Sequence, residues 1–379
     1  MPSGPQIVLG NTVRRLPICV ALQVVVACTQ ADAPAPDEGR TWSVAAEPSL
    51  VIGEDADPAG PLYQVRGAAR LSTGYLVANS GEHELRLYAP DGRLLSKLGR
   101  QGSGPGEFRS PRLVGRLSSD SVAVFDGNRR LSIVCEGVRV CDEWSVPPPG
   151  NVIGMADDFV LLEDIRPAAL EGESFDQHTY LGTYRKAAVL TTVLTLDGVA
   201  RSTRRMEVGL VSLPVPLSAR PFVALSDAAI VVFGTEDNVV RALDVNGVVT
   251  SQWQLPVPTP PLTSETFRSA VDERIRQLPP ARERVMRPVY EAMTPPHRRS
   301  PIANVVVDRR GLVWAAIAAD DGSQRTWFVM DQEGQVRAQV RMPLDIEVVE
   351  IGDDYVIAVW RNALDVEFVR VHTLTRTPT

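Results

Sequence analysis

The sequence predicts an all-β fold, a six-bladed β-propeller closed by an N-terminal strand, with a helical insertion between blades four and five. Three observations predict it. Five segments share one pattern, in which a β-rich run is followed by a two-residue turn ending in Gly and by a second β-rich run. Apart from two longer spacings, these turns recur about every 45 residues, which is typical of four-stranded propeller blades. The last unit lacks its fourth strand, and an apolar strand near the N-terminus is available to complete it.

The N-terminal residues 1–27 have the features of a signal peptide. Two arginines precede an apolar run, residues 16–28, that is too short to span a bilayer. This run ends in VVAC, which resembles the bacterial lipobox, and the resemblance implies that Cys28 is diacylated and becomes the mature N-terminus. The alternative is an ordinary cleaved signal in which Cys28 is incidental. Residues 28–44 are rich in Ala, Pro and acidic residues, which predicts a disordered tether.

The propeller is predicted to occupy residues 45–379. The segment PSLVIG, residues 48–53, resembles the closing strand RLLSKLG and supplies the missing strand of the last blade. The clearest second strands of the blades are GYLVAN, SVAVFD, DFVLLED, AAIVVFG and GLVWAAIA. The turns use residue pairs that favour positive φ values, as tight hairpins require; they are Asp91-Gly92, Glu136-Gly137, Asp197-Gly198, Asn246-Gly247 and Glu333-Gly334.

A glycine-rich stretch, GRQGSGPGEFRSP at residues 99–111, does not match a phosphate-binding loop. The residues that follow it have strand-turn-strand chemistry instead of a helix, and no Gly-Lys-Ser or Gly-Lys-Thr is present. Together with the next two strands, the stretch resembles the NHL-repeat signature. From about residue 45 the chain resembles the six-bladed β-propeller lipoproteins of bacteria, which implies that the stretch connects two blades and that Phe108 lies between them. We expect Glu107 to be a local hydrogen-bond acceptor; the alternative is a catalytic residue.

Two insertions account for the longer spacings, and both are expected on the face that carries the blade-to-blade connectors. The first, residues 166–183, is predicted to be a loop between strands two and three of blade three. The second, residues 259–301, contains apolar residues at helical spacing after a capping Thr263 or Ser264, and then a Pro-Pro pair and a shorter helical piece. We expect the apolar stripe of this helix to pack onto the ring; the alternative is a helix that binds a partner.

Cys135 and Cys141 would remain in the exported domain, where disulfides persist. They flank a predicted tight turn. With that turn, Cys141 lies about three residues past the partner of Cys135, which is too far to bridge. The sequence therefore leaves this candidate disulfide open.

The formal net charge of −7 argues against a nucleic-acid partner. The predicted inner strands offer few metal ligands, no Ser nucleophile elbow occurs, and no cofactor is expected. The main hypothesis is a monomeric, non-enzymatic scaffold of the bacterial cell envelope, on the outer-membrane or periplasmic side. It contacts the membrane through its lipid anchor only, and its loop-rich face binds an unknown envelope or extracellular protein, peptide or glycan. The alternative is a metal-assisted propeller hydrolase or lyase, similar to the lactonases or the amidating lyases, with its site at the central channel.

The candidate binding residues lie at predicted strand ends and insertions on the connector face; they are Arg66, Arg112, Asp126, Asn128, Arg129, Asn151, Asp164, Arg166, His178, Asp237, Asn238, His297 and Asp320.

Overall fold

The computed structural model describes residues 42–53, 60–137, 139–148, 150–167, 171–226, 229–234, 237–255, 257, 262–297, 299–320 and 323–376. The predicted signal peptide, Cys28 and most of the tether lie outside the described residues. The described part is a β-propeller, in which antiparallel sheets surround a central axis.

Two short strands come first, β1 (Ser43–Val44) and β2 (Leu50–Ile52), and six sheets follow in chain order. The first sheet contains β3 (Val65–Leu71), β4 (Gly74–Asn79), β5 (Glu84–Tyr88) and β6 (Leu94–Leu98), with a 3₁₀ turn at Ser80–Glu82. The second contains β7 (Arg112–Arg116), β8 (Ser121–Asp126), β9 (Arg130–Cys135) and β10 (Arg139–Ser145). The third contains β11 (Asn151–Ala156), β12 (Phe159–Arg166), β13 (Gly172–Tyr184), β14 (Thr191–Met206) and β15 (Gly209–Pro214).

The fourth sheet contains β16 (Phe222–Leu225), β17 (Ile230–Phe233), β18 (Val239–Leu243) and β19 (Val249–Gln254). Two helices follow it, α1 (Ser264–Arg276) and α2 (Pro280–Glu291). The fifth sheet contains β20 (Ile302–Val307), β21 (Val313–Asp320), β22 (Gln324–Met330) and β23 (Val336–Pro343). The sixth contains β24 (Ile346–Ile351), β25 (Tyr355–Arg361) and β26 (Glu367–Thr375), and both β1 and β2 pair with β26.

The first strands of the sheets face the central channel. β3, β7, β11, β16, β20 and β24 contact one another in this order, and β24 contacts β3, so the cycle is closed. Glycines let neighbouring first strands approach closely. A Cβ on Gly115 in β7 would overlap the carbonyl oxygen of Met155 in β11, and a Cβ on Gly154 would lie 2.9 Å from Cβ of Leu225 in β16.

The predicted second strands match β4, β8, β12, β17 and β21. Both faces of these strands are buried between neighbouring sheets, and a continuous apolar run in the sequence is the signal of such a strand. Four of the five predicted turns are also present. Asp91-Gly92, Glu136-Gly137, Asn246-Gly247 and Glu333-Gly334 connect the third and fourth strands of their sheets. These turns define the turn face of the ring, and the blade-to-blade connections define the connector face.

The fifth predicted turn, Asp197-Gly198, is wrong. Both residues lie inside the long strand β14, where Asp197 pairs with Gln177, and the chain reverses between β13 and β14 instead. Gly198 is needed for contact, not for a turn, since a Cβ there would overlap the ring of His178. The predicted loop at residues 166–183 is also wrong, because the residues from 172 onward form β13.

A disulfide joins Cys135 and Cys141, whose Cα atoms are 6.0 Å apart. The register between β10 and β9 shifts between Val140 and Asp142, so that Cys141 is the extra residue of a β-bulge. The sequence argument placed Cys141 about three residues past the partner of Cys135. In the structure that partner is Arg139, so Cys141 is two residues past it and lies where the bulge interrupts the ladder.

Candidate functional site: the cap and the channel mouth

The two insertions form one cap on the connector face. We define the cap as residues 172–177 and 197–215 of the third sheet together with α1 and α2. Thr263 caps α1, and its side chain accepts a hydrogen bond from the backbone N–H of Thr266 at 3.1 Å. Pro279 and Pro280 separate the helices, because proline is compatible with the first turn of α2 but not with the interior of α1.

The apolar stripe of α1 packs against the extended strands of the third sheet. One cluster of buried side chains joins the second insertion to Leu213 and Val215 at the end of β15; its other members are Phe267, Val271, Ile275, Val289, Tyr290 and Met293. The stripe thus packs onto one sheet of the ring, as expected, and it does so at the outer strand β15. β14 and β15 belong to the third sheet, and their connector-face ends present the apolar face that the stripe covers.

Three predicted binding residues hold the connectors in place. Asp126 is fully buried, and its Oδ1 accepts hydrogen bonds from the backbone N–H groups of Arg109 and Ser110 at 2.7 and 2.8 Å. The side-chain amide of Asn128 donates to the carbonyl oxygen of Gly102 at 2.8 Å, and the guanidinium of Arg129 donates to backbone carbonyl groups of the next connector. We therefore assign Asp126, Asn128 and Arg129 a structural role.

The glycine-rich stretch is the connector that the NHL resemblance implies. Glu107 accepts a hydrogen bond from the backbone N–H of Gly104 at 2.8 Å and one from Arg100 at 2.9 Å. These bonds hold the pKa of Glu107 below its usual value. Phe108 is fully buried in a cluster that includes Leu85 from the first sheet and Val124 from the second.

The remaining predicted residues are spread over the connector face. Asp164 pairs with Arg166 at 3.3 Å on the surface, and Asp237 pairs with Arg241. The carbonyl oxygen of Asn238 accepts from the backbone N–H of Leu255 at 2.8 Å. Three further predicted residues have only a position along the chain to describe them. Asn151 is exposed and begins β11, His297 is exposed and follows α2, and Asp320 ends β21.

A second group of charged residues lies where the first strands begin, at the connector-face end of the channel. We call this group the mouth cluster and define it as Arg66, Arg112, Glu163, His178, Tyr180 and Arg220. Sequence reasoning named Arg66, Arg112 and His178 but missed the other three. Glu163 could have been noticed as a carboxylate that interrupts the apolar run FVLLED, whereas nothing in the sequence relates Arg220 to this end of the channel.

Glu163 is the only carboxylate of the mouth cluster, and it is hydrogen-bonded. Its Oε1 lies 2.7 Å from Nδ1 of His178 and accepts the hydroxyl proton of Tyr180 at 2.9 Å. Burial alone would raise the pKa of Glu163, but these two bonds and the charge of Arg112 outweigh burial and lower it. Burial and the negative charge of Glu163 raise the pKa of Tyr180. Glu163 is therefore ionised and Tyr180 is neutral near pH 7.

The arginines of the mouth cluster lack carboxylate partners. Within the described residues, no carboxylate oxygen lies within 4.0 Å of the guanidinium of Arg66, Arg112 or Arg220. Arg112 donates to the carbonyl oxygen of Val152, and burial, followed by the like charge of Arg66, lowers its pKa. Arg220 donates to the carbonyl oxygen of Ala303 at 3.0 Å.

A cavity of about 260 Å³ adjoins the mouth cluster. It is lined by Ile153, Glu163, Tyr180, Arg220, Pro221, Phe222 and Val223. The Arg220 guanidinium lies 4.7 Å from the centre of the Phe222 ring. The arrangement therefore combines fixed positive charge with an apolar wall, which suits an amphiphilic anion.

No set of three or more His, Cys, Asp or Glu side chains with the proximity needed for a metal ion occurs in the described ranges. Nor does any helix among the described residues have the length and apolar character needed to cross a membrane.

No protein-family model matches the chain, and a search of curated proteins finds no match. Among solved structures, the chain is similar to a protein of Bacteroides fragilis described as exported, with 11% identity, a TM-score of 0.47 and coverage of 91% of this chain and 98% of that one. It is also similar to a member of the DUF4221 family from Bacteroides vulgatus, with 10% identity, a TM-score of 0.44 and coverage of 89% and 99%. It is also similar to BamB from Moraxella catarrhalis, with 12% identity, a TM-score of 0.36 and coverage of 87% of this chain and 100% of that one. These identities and TM-scores are low, so the assignment of the fold rests on the strand pairing described above.

Proposed function

We propose that the protein is a non-enzymatic scaffold of the bacterial envelope that binds a protein, peptide or glycan through its connector face. One observation carries the proposal: the two insertions meet at Glu173 and Thr294, and the helices share a hydrophobic core with Leu213 and Val215 at the end of β15, so that they form one cap on that face. Independent loop insertions need not meet, and loop length alone has little thermodynamic cost. The opposite face has mainly tight turns, so the connector face is where a partner finds shaped surface.

The proposal includes anchoring through a lipid on Cys28 and a monomeric six-bladed ring, with β1 and β2 completing the last blade. Replacing Cys28 with Ser should move the full-length protein from the membrane fraction to the soluble fraction. A Cys28→Ser protein that still sediments with membranes contradicts the anchor. Deleting residues 42–52 should expose an edge of β26 and lower the unfolding temperature; an unchanged temperature contradicts the closure.

Photo-crosslinking in living cells tests the binding face. A photoreactive amino acid at Arg268, an exposed residue of α1, should capture a partner, whereas the same amino acid at Arg93, an exposed residue beside a turn-face hairpin, should not. Both sites are exposed arginines, so a difference in capture reports on the face of the propeller and not on the type of residue replaced. Capture from Arg93 alone would place the binding surface on the turn face.

The sharpest loss-of-function variant changes the cap surface and keeps its core. Reversing the charge at Asp272 should weaken capture from position 268, because the side chain of Asp272 is exposed one turn along α1. Replacing the Asp91-Gly92 turn with Asn-Gly, another tight-turn pair, should leave capture intact. The enzymatic alternative makes a different prediction, a stoichiometric divalent ion in the purified protein, which elemental analysis detects.

A further inference from the structure

The mouth cluster has a surplus of positive charge that its own residues do not neutralise. It contains three arginines and one carboxylate, and that carboxylate is hydrogen-bonded to His178 and Tyr180. The arginines come from three different sheets, with Arg66 in β3, Arg112 in β7 and Arg220 directly before β16. Because the first strands form a cycle, their connector-face ends converge around one axis. Like charges held together without a counter-ion are unfavourable, and a bound anion relieves this repulsion.

Two of these guanidinium groups are anchored. Arg112 donates to the Val152 carbonyl oxygen and Arg220 donates to that of Ala303, which leaves further N–H groups of each fork for a ligand. A guanidinium already held by the backbone loses less side-chain entropy when it binds an anion. The geometry therefore favours binding over a merely solvated arginine surface.

The cavity beside Arg220 indicates what the anion is attached to. Its apolar wall consists of Ile153, Pro221, Phe222 and Val223, and about 260 Å³ is room for one small side chain. Arginine forks match the planar geometry of a carboxylate. The polar groups of the lining are Glu163, Tyr180 and Arg220. A sugar ring would place hydroxyl groups against the apolar wall, whereas an aliphatic amino-acid side chain would fit against it.

We infer that the mouth cluster binds a carboxylate of a peptide, with Arg112 and Arg220 as the main ligands, while a neighbouring aliphatic side chain occupies the cavity. The inference rests on the proposed function and specifies its ligand class. The carboxylate is either the C-terminus of the partner or an acidic side chain. Both sources present the same group to the same arginines.

Fluorescence anisotropy with the full-length protein tests the site. The probes are fluorescein-labelled Gly-Gly-Gly-Val as the free acid, the same peptide as its amide, and Gly-Glu-Val-Gly amide. We expect the free acid, the Glu peptide or both to bind, and the Val amide to bind at least about tenfold more weakly, because it lacks a charged acceptor. The first two probes distinguish a C-terminal from a side-chain source.

Arg112→Gln and Arg220→Gln should each weaken peptide binding by about tenfold or more. Arg93→Gln, the same change on the turn face, should leave it unchanged. Binding should also weaken as salt is raised. Circular dichroism and unfolding temperature verify that each variant is folded.

Three results would overturn the inference: no binding of either acidic peptide, binding that survives both arginine substitutions, or binding of trigalacturonate in place of the peptides. Each leaves the proposed function standing if crosslinking at Arg268 still captures a partner. Failure at Arg268 with intact peptide binding would instead remove the cap from the proposed function and keep the mouth site.

Discussion

The two ends of the central channel use the same residue types in opposite ways. At the turn-face end, Arg116 of β7 pairs with Glu350 of β24 at 3.2 Å, and Arg70 of β3 pairs with Asp354 at 3.0 Å. At the connector-face end, Arg66, Arg112 and Arg220 have no carboxylate within 4.0 Å among the described residues. The same first strands contribute arginines to both ends. At one end two arginines are therefore paired with carboxylates, whereas at the other end three arginines lack such a partner among the described residues.

The largest expected effect is at the turn-face end. Arg116→Gln should lower the free energy of unfolding by about 3 kcal/mol, because it leaves the largely buried carboxylate of Glu350 without its cation. The matched change at the mouth, Arg112→Gln, removes a hydrogen bond to a carbonyl group and should cost about 1 kcal/mol. Urea unfolding measures both, and equal losses would remove the contrast between the two ends.

Glu350 should make stability depend on pH. Burial raises the pKa of this carboxyl, and the hydroxyl of Tyr355 and the charge of Arg116 only partly offset it. Since the pKa in the folded state lies above that in the unfolded chain, the contribution of Glu350 is fully present below the unfolded pKa. It is lost as pH rises through the folded pKa.

Glu350→Gln should therefore remove this decline of stability above the ordinary glutamate range. Urea unfolding at a series of pH values tests it, with Glu347→Gln as the control, since Glu347 is an exposed glutamate of the same strand. Parallel pH profiles of the wild type and Glu350→Gln would show that Glu350 does not titrate as described.

Tyr180→Phe should have a smaller effect. It removes one hydrogen bond to Glu163 and should lower the free energy of unfolding by about 1 kcal/mol. It should also raise the pKa of Glu163, because a bond to the ionised form is lost. NMR titration of the Glu163 carboxyl measures this shift, and a pKa that stays or falls would contradict the hydrogen bond as its cause.

The smallest expected effect belongs to Arg66→Gln. Arg66 is exposed and its charge opposes that of Arg112, so removing it should cause no loss of stability and a slight gain at low salt. The gain should disappear at high salt, since screening already weakens the repulsion. Thermal unfolding at two salt concentrations checks this, and a clear destabilisation would mean that Arg66 has a structural partner.

Much of the propeller could be predicted because its signals are local. Apolar runs and Gly-containing turns mark strands wherever they occur, which is why four of the five predicted turns are correct. Asp197-Gly198 misled the prediction because glycine serves equally for a turn and for close contact, and only the neighbouring His178 ring shows which applies. Thr263 and the two prolines likewise fixed the helices from local chemistry alone.

The candidate site was predictable only in part. Arg66 and Arg112 could be identified because they start predicted inner strands, but Glu163 and Arg220 join them through contacts between different sheets. Asp126 and Asn128 had the composition of binding residues, yet their polar atoms hold a connector. Residue type indicates that a side chain can form hydrogen bonds with a ligand. Only the fold shows whether its polar atoms are already hydrogen-bonded to another part of the same chain.

By itself, the sequence determined the strands, most turns and the two helices, because backbone propensity and capping act over a few residues. It also placed both insertions on one face, since that follows from the order of strands along the chain. The tertiary structure decided that the helices pack on the end of β15, that the strand register brings Cys141 to Cys135, and that arginines with no carboxylate partner among the described residues lie at one end of the channel. These features depend on packing between residues far apart in sequence, where distance and burial, not residue type, set which charges are neutralised.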